Sequence, residues 1–216
     1  MAATAITNKQ AFGIVTVMDV KVYGMDQVKS YYGGTGTRDA ADAAIIALYN
    51  AENNTALCSI NHLQVATLST DGPSITINGG KYNNPLIKYG KTARCEMTDA
   101  LAQADALVAL GGAEWDSTNR TLSVTDKFGA EVCVVGKTFV VDQASGKHIS
   151  AHVILYKFLP DSTPSFAFES GNAATFDLNG DLLAVEFGVS ATEPEACADG
   201  NGVFFSIVLD DCTLPE

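Results

Sequence analysis

The sequence predicts a mainly β protein, a sandwich or barrel-like fold with one packed helix at about residues 99–110 and a second, short helix at about 38–50. Three observations predict it. Short runs of alternating or β-branched apolar residues recur along most of the chain, the period-two signature of strands. Nineteen glycines against six prolines supply many tight turns between those runs. Only two stretches switch to apolar spacings of three and four residues, so helices are few.

The elements follow in order. "IVTVMDVKVY" at 14–23 mixes β-branched residues with alternation and reads as a strand that Gly24 ends. "SYYGGTGT" after it reads as a flexible loop. From Thr37, an N-cap residue type, Ala41, Ile45, Leu48 and Tyr49 lie on one helical arc. Strand character returns in the second half of "TALCSINHLQVATLST", then "DGP" at 71–73 turns the chain into "SITI". Gly79-Gly80, Asn83-Asn84-Pro85 and Gly90 are further turn or bulge signals. Thr92, Arg94, Glu96 and Thr98 alternate with Ala93, Cys95 and Met97, a half-buried strand with one polar and one apolar face.

Thr98 or Asp99 is expected to cap the packed helix, with Leu101, Ala104, Leu107 and Val108 in one stripe and Gly111-Gly112 as its stop. Beyond it, "RTLSVTD", "EVCVVG", "KTFVVDQ", "HISAHVILYKFL", "PSFAFES", "ATFDLNGDLLAVEFG" and "VFFSIVLD" read as strands joined by turns, with a hairpin loop at 142–147 and a loop at 193–202. No internal repeat or linker-like composition break divides the chain. The expectation is a single domain over 1–216, with a loop and helix insertion at 25–54 and a C-terminal extension at 190–216.

Composition narrows the function classes. The chain is 47% apolar and 18% charged, which is globular rather than disordered. A formal charge of −12 opposes nucleic acid and anionic lipid, and the densest basic stretch, Lys88, Lys91 and Arg94, is diluted by Glu96 and Asp99. The start, "MAATAITNKQ", has no basic segment followed by an apolar run, so no export signal is expected. No apolar run approaches the ~20 residues of a membrane span. Cys58, Cys95, Cys133, Cys197 and Cys212 are odd in number and scattered, so buried free thiols are expected. The sequons at Asn53 and Asn119 then carry no glycan.

Chemistry-bearing patterns are sparse. "GGTGTRD" at 33–39 places glycines before a helix but lacks phosphate-loop spacing, so a loop is expected. His148 and His152 share a strand face without a third metal ligand in sequence, Asp142 and Asp161 lying in flanking loops, and read as ordinary surface or partly buried histidines. "DLNGDL" at 177–182 puts Gly180 and Leu182 out of step with a calcium loop and reads as a turn between strands. "DGNG" at 199–202 is a second partial match. Arg94 and Glu96 on one face suit a salt-bridged surface, a lumen wall or a subunit contact. No nucleophile elbow, zincin or dinucleotide motif occurs, so no catalytic, cofactor-binding or metal-ligating residue is assigned, and no cofactor is expected. A carboxylate-based hydrolase stands as one rival reading.

"GPSITINGGKYNNPLIKYGKTARCEMTDAL" at 72–101 resembles the region of major tail proteins of long-tailed bacteriophages where a Gly-Gly turn leads into a P-L-I-x-Y-G-K-T-A segment and E-M-x-D-A-L. "PSFAFESGNAATFDLNGDLLA" looks like their closing hairpin, and order and separation fit the family across about residues 55–187. The resemblance implies a tail-tube protein without catalysis: a β-sandwich flanked by a helix, whose inner sheets join around a six-fold ring, the rings stacking into a conduit for DNA. Its expected partners are further copies of itself, the tape measure and tail terminator, and genomic DNA that passes without specific binding. The expected location is the virion tail, after synthesis in the host bacterial cytoplasm and without membrane insertion. The resemblance leans towards a non-contractile tail. A β-sandwich adhesin of a phage tail or cell surface is the alternative.

Overall fold

A computed structural model describes residues 12–33, 37–51, 55–61, 63–72, 74–76, 86–88, 90–99, 104–142, 148–161, 165–166, 176–188 and 202–210. Over these residues it is mainly β, with antiparallel strand pairing and three helices.

The first strand, β1 (Phe12–Gly24), leads into α1 (Met25–Tyr32) and α2 (Arg38–Asn50). β2 (Cys58–Ile60), β3 (Leu63–Asp71), β4 (Ser74–Thr76), β5 (Leu86–Lys88) and β6 (Thr92–Asp99) follow. Then come α3 (Ala104–Leu110), β7 (Ala113–Asp116), β8 (Thr121–Val124), β9 (Val132–Asp142) and β10 (His148–Pro160). β11 (Ser165–Phe166), β12 (Phe176–Leu182) and β13 (Phe205–Leu209) complete the series.

Nine strands make the principal sheet, in the order β2-β1-β9-β10-β12-β6-β3, with β11 added to β12 and β13 to β10. β10 is the branch point. One edge pairs with β9, while the other is divided between β13, at Ala151–Leu155, and β12, at Phe158–Pro160. The sheet curls, because residues of β1 and β2 share one buried cluster with residues of β6 and β12. α3 closes that cluster with Ala106, Leu107 and Leu110.

The central strands are buried on both faces. Along β9, Val132 and Val134 face the α3 side, whereas Cys133 and Val135 face α1 and α2. Val153 and Leu155 alternate in the same way with Ile154 and Tyr156 on β10. Double burial replaces alternation with a continuous apolar run. It also explains why "EVCVVG" and "KTFVVDQ" are one strand rather than two, since Gly136 pairs with Val153 inside β9.

Several expectations are corrected. Residues 25–32, in a segment expected to open with loop, are helical, and Val28 and Tyr32 of α1 are buried. The packed helix begins at Ala104 in the described residues, not at 99, because Thr98 and Asp99 end β6 and pair with β12 and β3. Leu101 lies outside the described residues, and Val108 faces outward. Residues 177–182 are strand, not turn: Asp177–Leu182 pair continuously with β6. Gly180 is there for space, since a Cβ would sit 2.4 Å from the Leu159 carbonyl oxygen and 2.6 Å from the Phe158 ring. β7 was not anticipated. It pairs with β8 in a hairpin whose residues 114–120 are all exposed.

Other expectations hold. α2 spans 38–50, and the Thr37 side chain accepts from the Ala40 N–H at 3.3 Å. Ala93, Cys95 and Met97 are buried while Thr92 and Glu96 are exposed. The α3 stop is a left-handed Gly112 at φ +63°. The turns at 79–80 and 83–85, most of the loops at 142–147 and 193–202, and most of "PSFAFES" lie outside the described residues.

Candidate assembly surfaces

Three features of the fold carry functional content: a polar sheet face, an apolar groove and a buried polar cluster.

The polar face is built by strand alternation on β6 and its neighbours. Arg94 stands opposite Asp181 of β12 and Ser69 of β3, and Glu96 opposite Asn179 and Thr67. Thr98, opposite Asp177, donates its hydroxyl to that carboxylate at 2.8 Å. Arg94 bonds Asp181 at 3.1 Å, pairs closely with Asp161 just beyond β10, and lies 3.6 Å from Glu96. With Asp71 opposite Thr92, the face holds five carboxylates and one guanidinium, a formal −4. The face is half-exposed, so solvent screening limits each pair to about 0–1 kcal/mol. Its consequence is a field rather than a bond: one Arg holds several acids at a surface that stays negative. β3 is the outer strand, nine residues long, and among the described residues it pairs along one edge, with β6.

The apolar groove lies where α3, β7 and the loop at 127–130 meet Leu57, and has a volume of about 650 Å³. Phe128 is 85% exposed, Trp115 49%, Leu57 49% and Val108 42%. Local chemistry fixes this shape. Thr125 donates its hydroxyl to the Gly112 carbonyl at 2.7 Å, and a Cβ on Gly112 would clash with the Lys127 carbonyl at 2.0 Å. The loop therefore packs tightly against the end of α3 and presents Phe128 outward. Lys127 pairs with Glu114 across the rim. Beside the groove, Asp116 organises the hairpin turn, accepting from the Thr118 N–H at 2.8 Å and the Asn119 side chain at 2.7 Å. These bonds, the Asn119 side chain's first, hold its carboxyl below the usual range.

The buried polar cluster fixes α1 and α2 to the sheet. Asp42 of α2 is 6% exposed and accepts from the Tyr156 hydroxyl, which lies 2.5 Å from Ser206 of β13. Burial raises the Asp42 pKa, against the opposing Tyr156 bond. Tyr32 donates to the Tyr156 carbonyl at 2.8 Å, and Tyr32, Tyr156 and Phe187 meet edge to face. Nearby, Tyr49 donates to the Asp19 carbonyl at 2.7 Å, and Lys21 donates to the Tyr49 carbonyl at 2.8 Å.

The histidine expectation is corrected here. His148 is exposed, but His152 is 2% exposed, with Nδ1 2.5 Å from Asp210 and its ring edge-on to Tyr49. Asp210 also accepts from Ser150 at 2.5 Å, so this acid pins the end of β13. Of the flanking acids considered with the histidines, Asp142 ends β9 and Asp161 serves Arg94. No group of three or more His, Cys, Asp or Glu is placed to hold a metal among the described residues. Gly33 precedes α2, whereas 34–36 and 199–201 lie outside the described residues. Cys58, Cys95 and Cys133 are buried free thiols, each pushed up to about 12 by burial. Among the described residues, no helix is long and apolar enough to cross a membrane.

Sequence reasoning found the Arg94 face and missed the groove and the cluster. Phe128, Asp42 and Tyr156 carry no local signal, because each depends on residues far away in the chain. Trp115, the one tryptophan of the chain, beside the expected helix was the sequence cue to the groove.

No curated protein matches the sequence. Residues 114–207 match the model of the YomU/Tube protein family. The match runs from β7 into β13, past residue 187 where the tail-protein resemblance stops, and leaves 72–101 outside it. It points to a phage tube-like structural protein.

Proposed function

We propose that this chain is the subunit of a phage tail tube: copies close into six-membered rings, and the rings stack into a conduit for DNA passing from capsid to host. The observation that carries the reading is the tube-family match across β7–β13. The antiparallel sheet and the outer β3 strand support it, because joining sheets edge to edge around a ring covers edges that a lone subunit exposes. The ring size and the tape-measure and terminator partners come from the tail-protein resemblance at 72–101 and in the later hairpin. The virion location and synthesis in the host cytoplasm have the same source.

In this reading the acidic face of β3, β6 and β12 lines the bore. Lys and Arg rows would hold phosphate by counterion release, whereas a face with Asp71, Glu96, Asp161, Asp177 and Asp181 lets DNA slide. Screening confines the repulsion to about 10 Å at 0.1 M salt, so the wall prevents sticking and does not drive transport. The role is structural, with no reaction and no cofactor.

Negative-stain microscopy of the purified chain at rising concentration tests the assembly, with rings and tubes expected. Discrete monomers or trimers that bind cells would overturn it. A second arm tests the lining: Glu96→Lys with Asp181→Lys is expected to make tubes retain DNA at low salt. Unchanged DNA passage in that variant would remove these strands from the bore.

A further inference from the structure

We propose that the apolar groove beside α3 receives residues 1–11 of a second copy, so that each subunit threads its N-terminal segment into a subunit of the next ring. The inference rests on the tail-tube reading and adds the contact that joins rings.

Among the described residues, the groove is a substantial unpartnered surface. Phe128, Trp115, Leu57 and Val108 stand around a floor of Ala109 and Ala113. A single exposed apolar side chain is ordinary, but two large aromatics in one concave site mark a contact. The shape is built in, by the Gly112–Lys127 approach and the Thr125 hydroxyl bond, and does not depend on a partner to form.

The fold places the two parts at opposite ends. Gly24, the end of β1, adjoins the groove, a Cβ there lying 3.7 Å from Leu57 Cδ1. Phe12, the start of β1, lies twelve residues away, beside Asp142. Two bulges shorten β1, and the β9 stretch paired with it, Val132–Asp142, spans ten steps, roughly 33 Å at 3.3 Å per residue. Ile6 is six residues before Phe12 and reaches only about 20 Å from it even fully extended. A segment anchored at Phe12 therefore cannot bring Ile6 into its own groove. Head-to-tail stacking brings the Phe12 end of one copy against the groove end of the next, a heterologous contact that repeats without closing.

Charge selects this segment over the other terminus. The groove and its hairpin carry Asp105, Glu114 and Asp116 against Lys127 and Arg120, a small acidic excess. Residues 1–11, "MAATAITNKQA", contain Lys9 and no acid, whereas 211–216, "DCTLPE", contain Asp211 and Glu216 and no base. The small side chains around Ile6 also suit a narrow site between aromatic walls, with Ile6 as the anchor.

The test uses the full chain and two independent variants, one lacking residues 2–9 and one carrying Phe128→Ser at a position too exposed to matter for folding. Each is expected to form rings yet need at least about tenfold more protein to form tubes, a loss of about 1.4 kcal/mol per contact. Combining them should add little further loss, because both remove one contact. Mixed copies carrying Ile6→Cys in one and Val108→Cys in the other should form a disulfide between copies. Tubes that form normally without residues 2–9 overturn the inference and leave the tube reading intact, whatever else then fills the groove. A wild-type chain that forms no rings at any concentration overturns both.

Discussion

The two faces of the central strands are filled by different chemistry. Towards α3 the buried apolar set is Val, Leu, Ile, Met, Ala and Cys with Phe158, and among the described residues no buried carboxylate joins it. Towards α1 and α2 it contains Tyr23, Tyr32, Tyr49 and Tyr156, with Asp42 and His152 beside them. The first core holds by volume and removal of apolar area from water. The second adds directional bonds that define where α2 and β13 sit. Buried polar groups cost free energy unless bonded, so here each contact also specifies an arrangement.

The contrast can be broken most severely at Phe158. Phe158→Ala empties a fully buried site and is expected to cost about 3–5 kcal/mol, read from denaturant unfolding. A loss well under 2 kcal/mol would mean that the α3-side core can collapse around the gap. On the other face, Tyr156→Phe keeps the ring but removes the hydroxyl shared with Asp42 and Ser206. The expected loss is about 1–3 kcal/mol, from a buried acceptor left unpaired. Equal losses at the two sites would erase the distinction.

Acid sharpens it further. The folded state raises the Asp42 pKa, chiefly through burial, so the folded chain binds this proton more readily than the unfolded one. Its contribution is fully present below the unfolded value and is lost as pH rises through the folded value. Asp42→Asn removes that dependence. Wild type should therefore gain stability relative to the variant as pH falls from 7 towards 4, measured as the difference in Tm. A difference that moves the other way would mean that the Tyr156 bond outweighs burial.

The smallest expected effect is in thiol reactivity. Cys133 lies under Tyr32, while Cys58 and Cys95 lie on the apolar side, and burial pushes all three up to about 12. Alkylation at pH 8 should leave all three unmodified in the folded chain, as mass spectrometry of its peptides would show, and modify them once it is unfolded. Selective modification of Cys133 would reveal local opening of the tyrosine face.

What could be read in advance follows from how local each signal is. The β6 alternation was legible because one face of that strand is wet, and Thr37 marked α2 because capping acts within one turn. Gly136 and the Asn179-Gly180 pair misled, since both carry turn chemistry yet sit inside paired strands. Gly180 is explained by the Phe158 ring, a neighbour 22 positions away that no local window contains. α1 has no side-chain cap at Gly24, so nothing in the sequence announced it. The polar cluster needed Asp42 and Tyr156, 114 residues apart, to be brought together by the fold.

Among the described residues, β13 pairs with one strand, β10. Its five pairs with β10 run antiparallel, and the His152–Asp210 and Ser150–Asp210 bonds sit at the end where the chain leaves the sheet. A pull on that outgoing end, directed back along the strand, would open this clasp first and then the pairs one after another, like a zip. The β1–β9 and β9–β10 pairings would remain closed. Under mechanical load the molecule would thus lengthen at a sacrificial strand before its framework yields.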